Sequence, residues 1–534
     1  MTDLDTTARV PGTRAPIGES PGGRSYASSN VTRLLCAGTY LDDGYRRSVI
    51  QELLIERYRQ IAPSYGYDVV PVLGHALAAR QRRIFQSVFT IVMFVLIGLL
   101  WITGVLGAAA ALLLFGWAVW AGSFMIRLST LETLIRDLKP ARPGAGGGTV
   151  FEGGYPFNNR LGPDLCTELE EQQSASADGV IYYGGFVPFI GAGFEAESWA
   201  NAEMLIAARP NPLLAGADEP EDERDAEEAE EAEEAELIPF DVREITDYVH
   251  AHLLSALTET ADPRDRIENV VVERRKYAKA VARHASDRID TGLDVSRIHW
   301  EESHAAAREY LCIRIGSWDQ ELVPSMFVGF DIKGSTLHTE FYTYVLPPVR
   351  QSFHVVDRLP DDITLRLMGR VAWAALKATP GEGLGALLRP LAERLPNSAS
   401  VINRLDRKLS KGGHGAAGDS SLGLAQFAGV RLDRGARFSV RELATLNELH
   451  HFFQRSDMVK YAQVVERTLL HTIEVFLSEH NVDLTDHRAT QANILNQSFG
   501  DVNNYGDNSV TSQGNRGRQN IRQRISNTRK KEEH

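Results

Sequence analysis

Residues Ile84–Ile126 read IFQSVFTIVMFVLIGLLWITGVLGAAAALLLFGWAVWAGSFMI, 43 residues without one Asp, Glu, Lys or Arg. As a single helix the run would be about 64 Å long, roughly twice a hydrocarbon core of about 30 Å. Two spans of roughly 20 residues fit instead, with the break at Thr103-Gly104. The sequence therefore predicts transmembrane helices over 84–103 and 105–126. A secretory signal would be short and N-terminal, whereas this run begins after 83 residues and is far too long.

The flanks set the orientation. Arg80, Arg82 and Arg83 precede the first span, Arg127, Arg136 and Lys139 follow the second, and the turn is uncharged. Positive charge stays cytoplasmic, which puts both termini inside and the turn outside. Trp101, Trp117 and Trp120 are the interface anchors the run offers. Gly104/Ala108, Gly107/Ala111 and Ala118/Gly122 are small residues four apart, which suits close helix packing within the hairpin or between copies. No ionisable group lies between Arg83 and Arg127, so the spans lack what a transporter or proton relay needs.

Outward from the hairpin, the 534 residues carry a net charge of -13. That mean misleads. Residues 218–236 hold thirteen Asp/Glu against one Arg, so the remainder sums to about -1. Three cysteines, Cys36, Cys166 and Cys312, make neither a disulfide framework nor a metal-spaced pair, in keeping with a reducing compartment. Arginine outnumbers lysine by 47 to 10, the bias of a high-GC bacterial genome. The expected location is a bacterial inner membrane.

Residues 1–24 are polar and aperiodic and read as disordered, and 25–83 as an N-terminal cytosolic helical segment running into the first span. A juxtamembrane helix is expected over 127–139, a Gly/Pro-rich linker over 140–177, a Gly-rich apolar segment over 178–210 and the acidic linker over 211–236. A cytosolic α+β domain follows over 237–480, opening with two amphipathic helices in 241–285. Leu311, Ile313 and Ile315 alternate with Tyr310, Cys312 and Arg314, and Leu337 to Val345 alternate likewise. This predicts a three-stranded antiparallel meander within 308–357, extended by FHVVD. GEGLG at 381–385 reads as a helix–helix loop, because no strand precedes it. Ser439 and Glu442 match a capping box, which opens an expected helical hairpin over 438–480.

Residues 481–534 read as a disordered tail, first Asn/Gly-rich and then basic. ILNQSFGDVNNYGDNSVTSQGN within it resembles the short motifs of prokaryotic amyloid-signalling tails, which implies polar ladders stacking between copies. The basic end has no interleaved aromatics, so specific nucleic-acid recognition is not expected.

Chemistry-bearing motifs are sparse. GxxxxGK[ST], HExxH, GxSxG and EF-hand loops are all absent from the sequence. Pro-Phe-Ile-Gly-Ala-Gly at 188–193 is similar to the phosphate loop of sirtuin-like NAD-binding domains, which makes Gly191 and Gly193 the candidate cofactor-binding residues. Phe194 stands where that family has a small residue, and the acidic linker follows too soon for the rest of such a domain, so a glycine-rich strand or loop packed on the fold is the plainer reading. His338 and Glu340 share a strand face without a third ligand, and no metal or cofactor is expected.

The whole reads as an α+β membrane protein: a two-helix transmembrane hairpin, a mainly helical cytosolic region holding a small antiparallel meander, and disordered ends and linker. The expected function is a membrane-anchored interaction or regulatory protein with the bilayer and an unidentified protein as partners. A membrane-perturbing effector activated by homo-oligomerisation, or an anchored nucleotide-binding enzyme, are the alternatives.

Overall fold

The computed structural model describes residues 26–56, 59–140, 151–173, 180–208, 237–258, 267, 269–280, 283–284, 307–394, 431–432, 435–446 and 448–500. The expected disordered segment 1–24, the acidic run and the tail beyond residue 500 lie outside them.

Ser29 caps helix α1 (Asn30–Leu41), its hydroxyl accepting from the Thr32 amide, and Asp42 caps α2 (Asp43–Ile50) by accepting from Gly44 and Tyr45. Asp68 then caps α3 (Val69–Ile102), a single helix of 34 residues. Its first three turns, Val69–Ala79, are buried, while Phe85, Val88, Val92, Val95 and Leu99 beyond them are exposed. A turn at Thr103–Gly107, with Gly104 at φ +77°, leads into α4 (Ala108–Arg136). Both helices are long and apolar enough to cross a membrane. They pack on each other through Ile97, Ala111 and Ala118.

The body end of the hairpin enters a core built by α1, α2, the start of α3, Leu134 and Leu138. Helix α5 (Pro163–Gln173) adds Leu165 and Leu169 to that core. The expected linker over 140–177 therefore contains a packed helix, made amphipathic by two leucines four apart.

The sheet has six strands in the order β1-β3-β5-β6-β7-β2. They are β1 (Val180–Tyr183), β2 (Phe194–Met204), β3 (Val270–Lys279), β5 (Arg308–Ile315), β6 (Val323–Lys333) and β7 (Thr336–Leu346); β4 (Arg283–His284) pairs separately with β8 (Arg431–Leu432). The β1–β3 pair is parallel and the other pairs are antiparallel. The meander is thus the centre of a larger mixed sheet, and both edge strands come from 180–204, ahead of the expected 237–480 domain.

Alternation along the strands covers both faces. Leu311, Ile313, Met326, Val328, Leu337 and Phe341 meet helices α6 (Val242–Thr258) and α8 (Phe452–Glu479). Tyr277, Tyr310, Cys312, Phe327 and Tyr344 line the other face. There Phe189, in the loop joining the two edge strands, stacks on Phe327 at 4.0 Å between ring centroids and lies 5.2–5.3 Å from the rings of Tyr277, Tyr310, Tyr342 and Tyr344.

Five local expectations are corrected. The second helix expected in 241–285 is strand β3, because Val270–Val272 are β-branched and pair with β5. FHVVD does not extend the meander: Pro347-Pro348 end β7, and Phe353–Arg358 form a 3-10 turn with Phe353 fully buried. GEGLG does not break a helix pair but lies inside α7 (Leu365–Arg394), since glycine weakens a helix by about 1 kcal/mol without forbidding it. The 438–480 hairpin is a single 3-10 turn, Glu442–Ala444, followed by α8 alone. The expected disordered tail begins with α9 (Thr485–Gly500), docked by a buried His487 Nδ1–Glu203 Oε1 contact of 2.7 Å onto β2.

Helix α7 packs not on the sheet but along α3 and α4. Trp120 Nε1 donates to the Ala372 carbonyl at 3.0 Å and Ala375 is fully buried. Trp120 is therefore held by protein, whereas Trp101 and Trp117 are exposed.

Phe189 is the loop ring that fills the aromatic face. Phe189→Ala should cost about 3–5 kcal/mol, as expected for deleting a buried ring. A thermal unfolding midpoint unchanged from the wild type would show that the loop is not holding this face.

Candidate functional site

The segment Gly184–Gly193 must carry the chain from one edge of the sheet to the other. Glycine serves it at two points. Gly191 and Gly193 sit at φ +89° and +91°, so their consecutive-but-one amides point the same way and form a small anion cradle. Glu442 fills it. Its Oε1 accepts from the Gly191 amide at 2.8 Å and the Gly193 amide at 3.1 Å, while its Oε2 accepts from the Ser439 amide at 2.9 Å. Burial pushes the Glu442 carboxyl above its usual range, and the three amides oppose that shift.

The neighbouring Arg441 ties a second pair of segments. It is fully buried, donating from Nη1 to the Tyr65 carbonyl and from Nη2 to the Glu321 carbonyl, both at 2.6 Å. Burial lowers its guanidinium to about 10. Close by, Arg314 Nη2 pairs with Glu273 Oε2 at 2.5 Å and its guanidinium lies 4.7 Å from the Tyr65 ring. Glu321 also accepts from Asn30 at 3.1 Å and lies 3.1 Å from His354 Nε2. His354 Nδ1 in turn lies 3.3 Å from Asp357, which pairs with Arg33 at 2.8 Å. This network joins helix α1, the β5–β6 connection, the 353–358 turn and the 439–444 turn.

The sequence residues fall into three places. Gly191 and Gly193 come together, but with a carboxylate of the chain itself on their amides. Arg82 and Arg83 cluster where the hairpin leaves the body: Arg82 donates to the Ser129 carbonyl at 2.9 Å and Arg83 pairs with Asp43 at 3.2 Å. Arg80 lies a turn earlier on α3, and Arg127 stands across on α4. Of the small residues, Ala111, Ala118 and Gly122 face α3, and a Cβ on Gly122 would lie 3.1 Å from Thr90 Oγ1. Gly104, Gly107 and Ala108 sit at the hairpin tip, and the two glycines have open space around them. His338 and Glu340 stay on the sheet, Glu340 accepting from the Tyr310 hydroxyl at 2.7 Å. Among the described residues no group of three or more His, Cys, Asp or Glu could hold a metal.

Sequence reasoning found Glu442 through its capping box but not its second task. A capping box uses one carboxylate oxygen, and nothing local tells where the other points. Arg441 carried no signal at all.

Against known families, residues 198–514 match the model described as the AbeC-like domain. The chain belongs to this family. No curated protein and no solved structure matches it. The AbeC-like domain takes in most of β2, strands β3 to β7, helices α6 to α9 and the Arg441–Glu442 pair. The hairpin, the α1–α5 layer, β1 and the Gly191–Gly193 cradle precede it. Glu442 thus links the AbeC-like domain to the segment ahead of it.

Two outcomes follow for this junction. Gly185 and Gly193 both have φ +91°, but only at Gly193 would a Cβ be driven into the Val345 carbonyl. Gly185→Ala should cost about 1 kcal/mol of backbone strain and Gly193→Ala about 3 kcal/mol or more; equal midpoint shifts would mean the cradle is not tightly held. Hydrogen bonds to Asp357 and Glu321 raise His354 to about 9 from 6.5. A raised folded value contributes stability that is complete below pH 6.5 and lost as pH climbs through 9. Thermal midpoints should therefore fall across that window, and His354→Gln should flatten the fall; a slope identical in the variant would refute the assignment.

Proposed function

We propose that this chain is a two-span inner-membrane protein, with both termini in the cytoplasm, whose body serves as an anchored interaction or regulatory module. The observation that carries the reading is α3, whose first three turns are buried in the body core and whose remainder is exposed and apolar. The uncharged part of α3, Ile84–Ile102, is about 28 Å long, close to a hydrocarbon core. All flanking cations lie at the body end and the tip is uncharged, the distribution that keeps the body cytoplasmic. A cradle filled by Glu442 gives the nucleotide-enzyme reading no open site.

The effector reading has one supporting observation. Gly98 and Gly116 have open space where a Cβ would stand, so the hairpin's outer surface carries notches that a second copy could enter. It differs in requiring that expression of the chain depolarise the membrane.

For the anchor, the protein should stay with membranes through alkaline carbonate and leave them only in detergent. A cysteine placed at Thr103 should react with an impermeant maleimide from outside the membrane, and one at Asp486 only after lysis. Release without detergent, or the reverse labelling, sinks the proposal.

A further inference from the structure

At the base of the hairpin α3 and α4 touch through the Arg82–Ser129 bond, and Pro156 and Phe157 stand beside them. A cleft of about 790 Å³ opens there, within the size range of small-molecule sites. Its two ends differ in chemistry. Toward the hairpin tip the wall is Phe85, Phe89 and Met125; toward the body it carries Arg82 and Arg136 with Glu132 and Asp137. The change falls where the uncharged run ends, at Ile84 on one helix and Ile126 on the other. Resting on the anchor reading, the cleft straddles the level at which lipid head groups meet acyl chains.

The charges narrow the occupant. Asp137 is held above its usual range by burial, with Glu132 adding to the shift and Arg136 and Arg82 opposing it, so the four groups share one field. A purely anionic head would face two carboxylates, and a purely cationic one two guanidinium groups. A head bearing both signs answers both pairs, with phosphate on the arginines and ammonium on the acids. Carboxylates call for N–H donors, which a primary ammonium has and a quaternary one lacks. One turn deeper than Arg82, Gln86 is 6% exposed and its Oε1 has no hydrogen-bond partner. Its carboxamide also carries an N–H that can donate to an ester carbonyl. Phe157, 83% exposed, stands at the rim as an aromatic contact for the interface.

We propose that this cleft binds one phospholipid with a phosphoethanolamine head. The phosphate lies on Arg82 and Arg136, the ammonium between Glu132 and Asp137, and the chains run along Phe85, Phe89 and Met125. The lipid completes the surface where the hairpin joins the body.

The test uses the full chain expressed in bacterial membranes that contain phosphatidylethanolamine. A carbonate wash comes first: release of the protein there overturns the anchor reading, and this one with it. Membrane-retained protein is then taken into mild detergent and examined by native mass spectrometry, with phosphatidylethanolamine, phosphatidylglycerol and phosphatidylcholine added back in competition. One phosphatidylethanolamine should remain bound through delipidation. Glu132→Gln with Asp137→Asn, which leaves the Arg82–Ser129 bond intact, should cut its retention at least tenfold and shift preference toward phosphatidylglycerol. Arg136→Ala should weaken retention of both. No retained lipid, equal retention of the three classes, or unchanged retention in the variants overturns the proposal.

Discussion

One helix belongs to two cores, and the rest of the architecture depends on it. The first turns of α3 are packed among α1, α2 and α5, so closely that a Cβ on Gly74 would meet the Tyr155 ring at 2.7 Å. The same helix then becomes one wall of the apolar hairpin. Helix α4 returns into the same core through Leu134, with Leu138 just past its end, and α7 lies against α3 and α4. An isolated helix in water is marginal, but this one is nucleated by burial at its body end. The hairpin therefore cannot tilt or turn without moving the body.

A second constraint is topological. The two edge strands of the sheet lie five spacings apart, about 24 Å, and only Gly184–Gly193 connect them. So short a connection has to cross a face of the sheet. Phe189 turns that crossing into aromatic contact, and Glu442 fixes its end by holding the Gly191 and Gly193 amides. A buried carboxylate on two amides is stable only while its partners stay in place. The loop, the 439–444 turn and, through Arg441, the Tyr65 backbone are accordingly held as one unit.

The legible parts of the sequence were those whose pattern is local. An uncharged run of 43 residues has few readings, and the alternation of Leu311–Ile315 with Tyr310–Arg314 can only be a strand buried on both sides. Strand β3 reads as helix because its charged second half, Glu273–Lys276, masks the β-branched Val270–Val272. Segment 178–194 reads as strand-like and contains β1, but its pairing with β3, like that of β2 with β7, joins residues far apart in the chain and has no local signal. Helix α9 looked like tail because its stability comes from His487 reaching Glu203 rather than from its own composition. At the junction, the glycine loop and the capping box were each visible. That one carboxylate serves both is a fact of tertiary structure.

The claim that hairpin and body move as one piece is open to a single direct measurement. Spin labels at Glu309 and Ile102 report the body-to-tip distance, and labels at Glu309 and Asp486 report a distance within the body. In lipid nanodiscs, pulsed electron–electron resonance should give two distributions of similar, narrow width. A broad body-to-tip distribution beside a narrow one within the body would contradict the account, because the hairpin would then swing on a hinge that a continuous α3 does not have.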